Sequence, residues 1–157
     1  MDINYNEQLT KGNRLFRAAD HLAYVTYPFL KDNKLIIAIT ENLYNSMIYH
    51  LTALLQFEIY YKRLHEMPLD TLDKIRTFQE HCMYRYNFNA RQIEIIKDLH
   101  NLMKERKNSI MEFCRNDKYI IYNNIEVKSI SINTLRNYLF ISKDFVRKIN
   151  LIIQNAK

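Results

Sequence analysis

The chain has 157 residues, 48% of them hydrophobic and 25% charged, with a formal net charge of +6. This is the composition of one folded domain spanning 1–157; such a domain buries roughly two-thirds of its unfolded surface, without a disulfide or metal to hold it. A single glycine and two prolines exclude the Walker, Rossmann and kinase phosphate loops and the nucleophile elbow, so no cofactor, nucleotide or otherwise, is expected.

Residues 5 to 27 suit a first helix, with Leu9, Leu15, Phe16, Ala19, Leu22, Ala23 and Thr26 near one side. Pro28 and the polar KDN after it are expected to end that helix, and Asp32 to cap the next. The second helix should run from about 33 to 66 and stop before Pro68. Ile36, Ile39, Leu43, Met47, His50, Leu54, Phe57, Tyr61 and Leu64 follow alternating three- and four-residue steps, which describes a seam packed along neighbouring helices. Ile37, Tyr44, Ile48, Leu51 and Leu55 form a second stripe, leaving Lys34, Glu41, Asn45, Thr52, Gln56 and Arg63 on a narrow polar strip. Such a helix is the central column of a bundle.

If the first two helices pair antiparallel, Gly12 lies opposite Met47 and Phe16 opposite Leu43. A glycine inside a helix costs about 1 kcal/mol relative to alanine, so Gly12 points to close approach of the two backbones. His50 and Glu58 interrupt the apolar positions of the second helix two turns apart and out of line. They read as core groups with partners: a histidine bonded to a backbone carbonyl or tyrosine, and a glutamate paired with an arginine or reaching the end of the bundle.

Asp70 can cap a third helix to about Tyr86, and Asn87 or Asn89 a fourth from about 90 to 108. YIIYNNIEVKSIS (119–131) is β-branched and aromatic with Asn123–Asn124 in the middle, which predicts a small hairpin. Ser131 or Asn133 then starts a last helix reaching about Gln154. The expected fold is all-α: an up-and-down bundle of four to five helices with a small β-hairpin before the last.

Cys82 and Cys114 form no CxxC pair, which fits free thiols in a reducing cytoplasm. No basic-then-apolar leader and no long apolar run occur, so a cytoplasmic protein without membrane contact is expected. His81, Cys82, His100 and Cys114 are zinc-type ligands at spacings that match no closed site, and no Glu-x-x-His is present for a carboxylate-bridged one.

Charge is uneven. Residues 1–60 hold 5 Lys/Arg against 6 Asp/Glu, 61–115 hold 11 against 8, and 116–157 hold 7 against 3. Basic residues beside aromatics suit phosphates and bases, or else alternate with Glu94, Asp98, Glu105 and Asp144 on solvated helix faces. Arg63, Arg85, Arg91, Lys104, Arg106, Lys107, Arg147 and Lys148 are the candidate phosphate contacts, with Tyr84 and Tyr86 as stacking candidates.

Arginine and histidine separated by four to six residues occur twice, at Arg14–His21 (RLFRAADH) and Arg76–His81 (RTFQEH). Seven positions apart, Arg14 and His21 are nearly aligned on a helix, whereas Arg76 and His81 diverge by about 140°. A mildly basic helical bundle carrying this spacing resembles the HEPN superfamily, many of whose members are metal-independent RNases with the motif on a late helix. The resemblance implies association with RNA, or a toxin–antitoxin role, with Arg14 stabilising phosphate charge and His21 moving protons. Here Leu15 or Thr77 follows the arginine where the superfamily has a polar residue, and the last helix has no histidine. HLAYVTYPFLKDNKLIIAITENLY is also similar to a segment of small helical archaeal proteins of no assigned function. The alternative expectation is a non-catalytic adaptor that forms a homodimer or grips a partner helix.

Overall fold

The structure, a computed structural model, describes residues 4–156. Helix α1 (Tyr5–His21) starts behind Asn4, whose Oδ1 accepts from the Glu7 N–H at 3.0 Å. Pro28 does not end this rod. One π-helical turn (Leu22–Thr26) leads straight into α2 (Tyr27–Leu30). In the wider register Tyr27 N–H donates to the Leu22 carbonyl, so the N–H that Pro28 lacks leaves the Ala23 carbonyl without a helical partner. Arg136 supplies one, its Nε and Nη2 donating to that oxygen at 3.3 and 3.1 Å. Lys31, in the left-handed region at φ 52°, stops the rod.

Helix α3 (Lys34–Tyr60) runs back along α1 as the expected central column, and its seam from Ile36 to Phe57 is buried. The polar strip is narrower than the heptad reading gave, because Thr52 is buried too. α3 ends at Tyr60 rather than near residue 66. Lys62 takes φ 60°, and the N–H groups of Lys62 and Arg63 return to the carbonyls of Ile59 and Glu58, both at 2.9 Å. This Schellman closure folds Arg63 back over Glu58.

Helix α4 (Thr71–Phe78) is capped by Asp70 and extends through a second π-helical turn (Gln79–Met83). A second Schellman turn at Asn87, φ 56°, leads to α5 (Ala90–Lys107), which opens on a capping box between Asn89 and Gln92. The predicted hairpin is β2 (Lys118–Tyr122) with β3 (Val127–Ser131), joined through Asn123–Asn124. The chain is mostly helical with its sheet before the last helix, as expected, but the sheet is larger than the predicted hairpin, because an unpredicted strand β1 (Met111–Arg115) adds to β2 and makes a three-stranded antiparallel sheet in the order β1-β2-β3. Asn116 and Asp117 turn between them at φ 51° and 61°, the left-handed pair that a two-residue hairpin loop requires. Ser131 caps α6 (Ile132–Gln154), its Oγ accepting from Thr134 N–H at 3.1 Å.

α6 packs beside α3 and α5, and Phe78, Phe88 and Phe145 meet with ring centroids 5.0 to 5.7 Å apart. Among the described residues no helix is long and apolar enough to cross a membrane.

Candidate nucleic-acid interface

Helix α5 buries Ile93, Ile95, Ile96, Leu99 and Leu102. Its other side carries Lys97, His100, Asn101, Lys104 and Lys107, spaced so that they share one face by the 3.6-residue period. This face meets α4 across two adjoining hollows. One, of about 240 Å³, is lined by Leu72, Ile75, Arg76, Gln79, Lys97, His100 and Asn101. The other, of about 290 Å³, is lined by Tyr44, Asp70, Leu72, His100, Met103, Lys104 and Lys107. Among the described residues Lys97, Lys104 and Lys107 form no ion pair, whereas Arg76 pairs with Asp73 at 3.0 Å.

His100 belongs to both hollows and is half-buried. Its Nδ1 lies 2.8 Å from Tyr44 Oη, carried in from α3. Burial lowers the His100 pKa; Asp70 raises it less than burial, Lys104 and Lys107 lower it, so the ring is neutral at neutral pH. Burial, with Asp70, raises that of Tyr44, which therefore keeps its proton. The bond accordingly runs from Tyr44 Oη–H to Nδ1 and leaves the N–H on His100 Nε2.

At the other end of α4 and α5 lies a second basic group, built on Glu58. This carboxylate is only 2% exposed and takes Arg63 Nε and Nη2 at 3.0 and 2.9 Å, Arg85 Nη1 at 3.1 Å, and the Tyr86 hydroxyl. Burial pushes its carboxyl up, but the hydrogen bonds from Arg63 and Tyr86 and the charges of Arg63 and Arg85 outweigh this, holding it below the usual range. One negative charge against two guanidiniums leaves the group positive. Tyr84 beside it is 95% exposed, and Lys148 reaches the same turn through the Asn87 carbonyl at 2.6 Å.

The predicted basic residues thus do not form one surface. Arg63, Arg85, Tyr86 and Lys148, with Tyr84, gather at one end. Lys104 and Lys107 lie at the other, some 20 Å away along α5 by its rise of about 1.5 Å per residue. Arg91 pairs with Glu94, Arg147 with Asp144, and Arg106 with Glu41 and Glu112. The Tyr86 hydroxyl is bonded to Glu58, and its ring meets Phe88 edge-on with centroids 6.4 Å apart. Sequence reasoning passed over Lys97, Tyr44 and the role of His100. The three-to-four-residue steps on α5 were legible, but the partner wall from α4 was not.

Arg14 and His21 are both exposed on α1, about 10 Å apart along the axis. The shallow depression at Arg14 is shared with Asn4, Asn6, Glu7, Thr10 and Lys11, and His21 is not part of it. Cys82 is buried, which pushes its thiol up to about 12, while Cys114 is half-buried. Among the described residues no three His, Cys, Asp or Glu side chains come together as metal ligands. Comparison with protein-family models, curated proteins and solved structures finds no match.

Proposed function

We propose that this chain binds single-stranded RNA along the α4–α5 face, as an RNA-associated helical bundle of the HEPN-like kind. The observation that carries the reading is the row of three unpaired lysines, Lys97, Lys104 and Lys107, lining two hollows that contain a histidine and apolar walls. Lysines of this kind take phosphates, and hollows with apolar walls take bases. The Arg63–Arg85 group and exposed Tyr84 extend the track at the far end of α4. Gel-shift titration of a single-stranded RNA at two salt concentrations tests the reading; no shift at low salt overturns it. Cleavage by Arg14 and His21 remains a separate proposal, removed if His21→Ala cleaves RNA as fast as the parent protein.

A second reading, the adaptor, is favoured by one observation. Met111, Tyr122 and Val127 are cross-strand neighbours 56%, 43% and 60% exposed, and Phe113 on the same face is 39% exposed. An open apolar sheet face of this kind suits a protein partner or a second copy. Sedimentation analysis tests it, and a monomer at all concentrations argues against the homodimer.

A further inference from the structure

The hollow beside Tyr44 has a second chemical character that a plain phosphate track does not require. Its lysines, Lys104 and Lys107, stand on one side; Leu72 and Met103 give it an apolar wall; and Asp70 places a carboxylate in the lining. Asp70 Oδ2 accepts the Leu72 N–H at 3.1 Å as the cap of α4, and its Oδ1 accepts no hydrogen bond among the described residues. A carboxylate has about four acceptor positions, so capping leaves most of them open. Backbone-tracking alone would be weakened by a negative charge here.

We propose that this hollow holds one nucleotide of the bound strand and selects guanine, with Asp70 reading the base and Lys104, Lys107 and His100 Nε2–H holding its phosphate. The inference rests on the RNA-binding reading for its strand context, but it specifies a site that free nucleotides also report. Guanine presents two adjacent donors on its Watson–Crick edge, N1–H and the N2 amino group. Two carboxylate oxygens match them in a bidentate pair. Adenine presents an acceptor at N1 beside its amino group and sets a lone pair against the carboxylate. Cytosine likewise offers an amino group beside an acceptor, and uracil one N–H between two carbonyls. The base packs on Leu72 and Met103. The Tyr44 hydroxyl, by donating to Nδ1, keeps the Nε2 proton of His100 in place for the phosphate.

The test is calorimetric titration with the 5′-monophosphates of guanosine, inosine and adenosine, and with guanosine itself. Guanosine monophosphate should bind about ten-fold or more tighter than adenosine monophosphate, because a charge-assisted pair is exchanged for a repulsion. Inosine monophosphate, lacking the amino group, should fall between them, and guanosine should lose the lysine contribution. Asp70→Asn keeps the helix cap, since Asn caps as well as Asp, but replaces one acceptor by a donor. It should erase the guanine preference, so that guanosine and adenosine monophosphates bind alike. Lys104→Ala with Lys107→Ala should instead weaken all monophosphates alike. Equal binding of guanosine and adenosine monophosphates, or a preference that survives Asp70→Asn, overturns the proposal. A guanine preference without any RNA shift would uphold this site and remove the strand-binding reading. An RNA shift without a preference would do the reverse.

Discussion

A Cβ built on Gly12 would lie 2.7 Å from Nδ1 of His50 and 2.8 Å from its Cε1. The only glycine of the chain is therefore what admits a histidine ring into the contact between α1 and α3. Ser46 Oγ donates to the Gly12 carbonyl at 2.8 Å, His50 Nδ1 lies 2.7 Å from the Ser46 carbonyl, and His50 Nε2 lies 2.8 Å from Asn13 Oδ1. Asn13 in turn pairs with Asn150 of α6. Gly12→Ala gains about 1 kcal/mol of helix propensity but forces a methyl into a ring that is fully buried; at 2.7 Å the clash belongs at the upper end of the usual overpacking range, about 2–3 kcal/mol. A net loss of about 1–2 kcal/mol is expected in urea denaturation. Unchanged or higher stability would mean that α1 can shift outward without penalty.

Two influences oppose each other at His50. Burial disfavours the charged ring, while the Ser46 carbonyl bonded to Nδ1 favours it, and burial prevails, lowering the pKa from 6.5 to about 4. Between those values the unfolded chain binds the proton that the folded chain refuses. Stability must therefore fall as pH drops from about 6.5 toward 4, by up to about 3 kcal/mol. Denaturation midpoints across that range check this. A His50→Gln variant, itself destabilised, should lose that part of the slope; if its slope equals the parent's, another group is responsible.

Glu58 is the anchor for both guanidiniums at the end of the bundle. Glu58→Gln strands Arg63 and Arg85 beside a neutral amide in a buried position. Because both arginines are partly solvated, the expected loss is about 2–3 kcal/mol, below the full cost of breaking a sealed pair. Since the net effect lowers the folded pKa from 4.5, this stabilisation is present above about pH 4.5 and disappears as pH falls further. Thermal melts at pH 7 and pH 3 should differ less in the variant than in the parent protein.

Arg136 answers a vacancy created by Pro28. Removing the side chain in Arg136→Ala leaves the Ala23 carbonyl without its donor and also removes a cation stacked over Tyr24 and Tyr27 at 5.8 and 5.9 Å. A loss of about 1–3 kcal/mol follows from the unpaired carbonyl. Combining it with Pro28→Ala, which restores an N–H, should recover part of the loss. Strict additivity of the two changes would break the proposed link.

The salt dependence of RNA binding separates free from occupied cations. Lys104→Ala with Lys107→Ala should reduce the slope of log affinity against log salt by about 1.4, at roughly 0.7 per phosphate contact on a single strand. Arg85→Ala with Arg91→Ala should reduce it less, because those side chains are held by Glu58 and Glu94. The opposite ranking in filter-binding titrations would move the phosphate track away from α5.

The helices, the central position of α3, the close approach at Gly12 and the partnered state of His50 and Glu58 were all legible in the sequence. Each follows from local periodicity or from the cost of burying a polar group, and both act residue by residue. Caps at Asp70, Asn89 and Ser131 were legible for the same reason. Three features needed the tertiary structure. The rod continues past Pro28 because a residue 113 positions away in sequence, Arg136, accepts the cost of the missing N–H. Strand β1 forms because β2 offers it an edge, although its own five residues are mostly exposed and carry little alternating pattern. The basic residues divide into paired and free ones only when partners such as Glu58, Glu94 and Glu112 come into place, because an ion pair is decided by distance in space and net charge along a chain is blind to it.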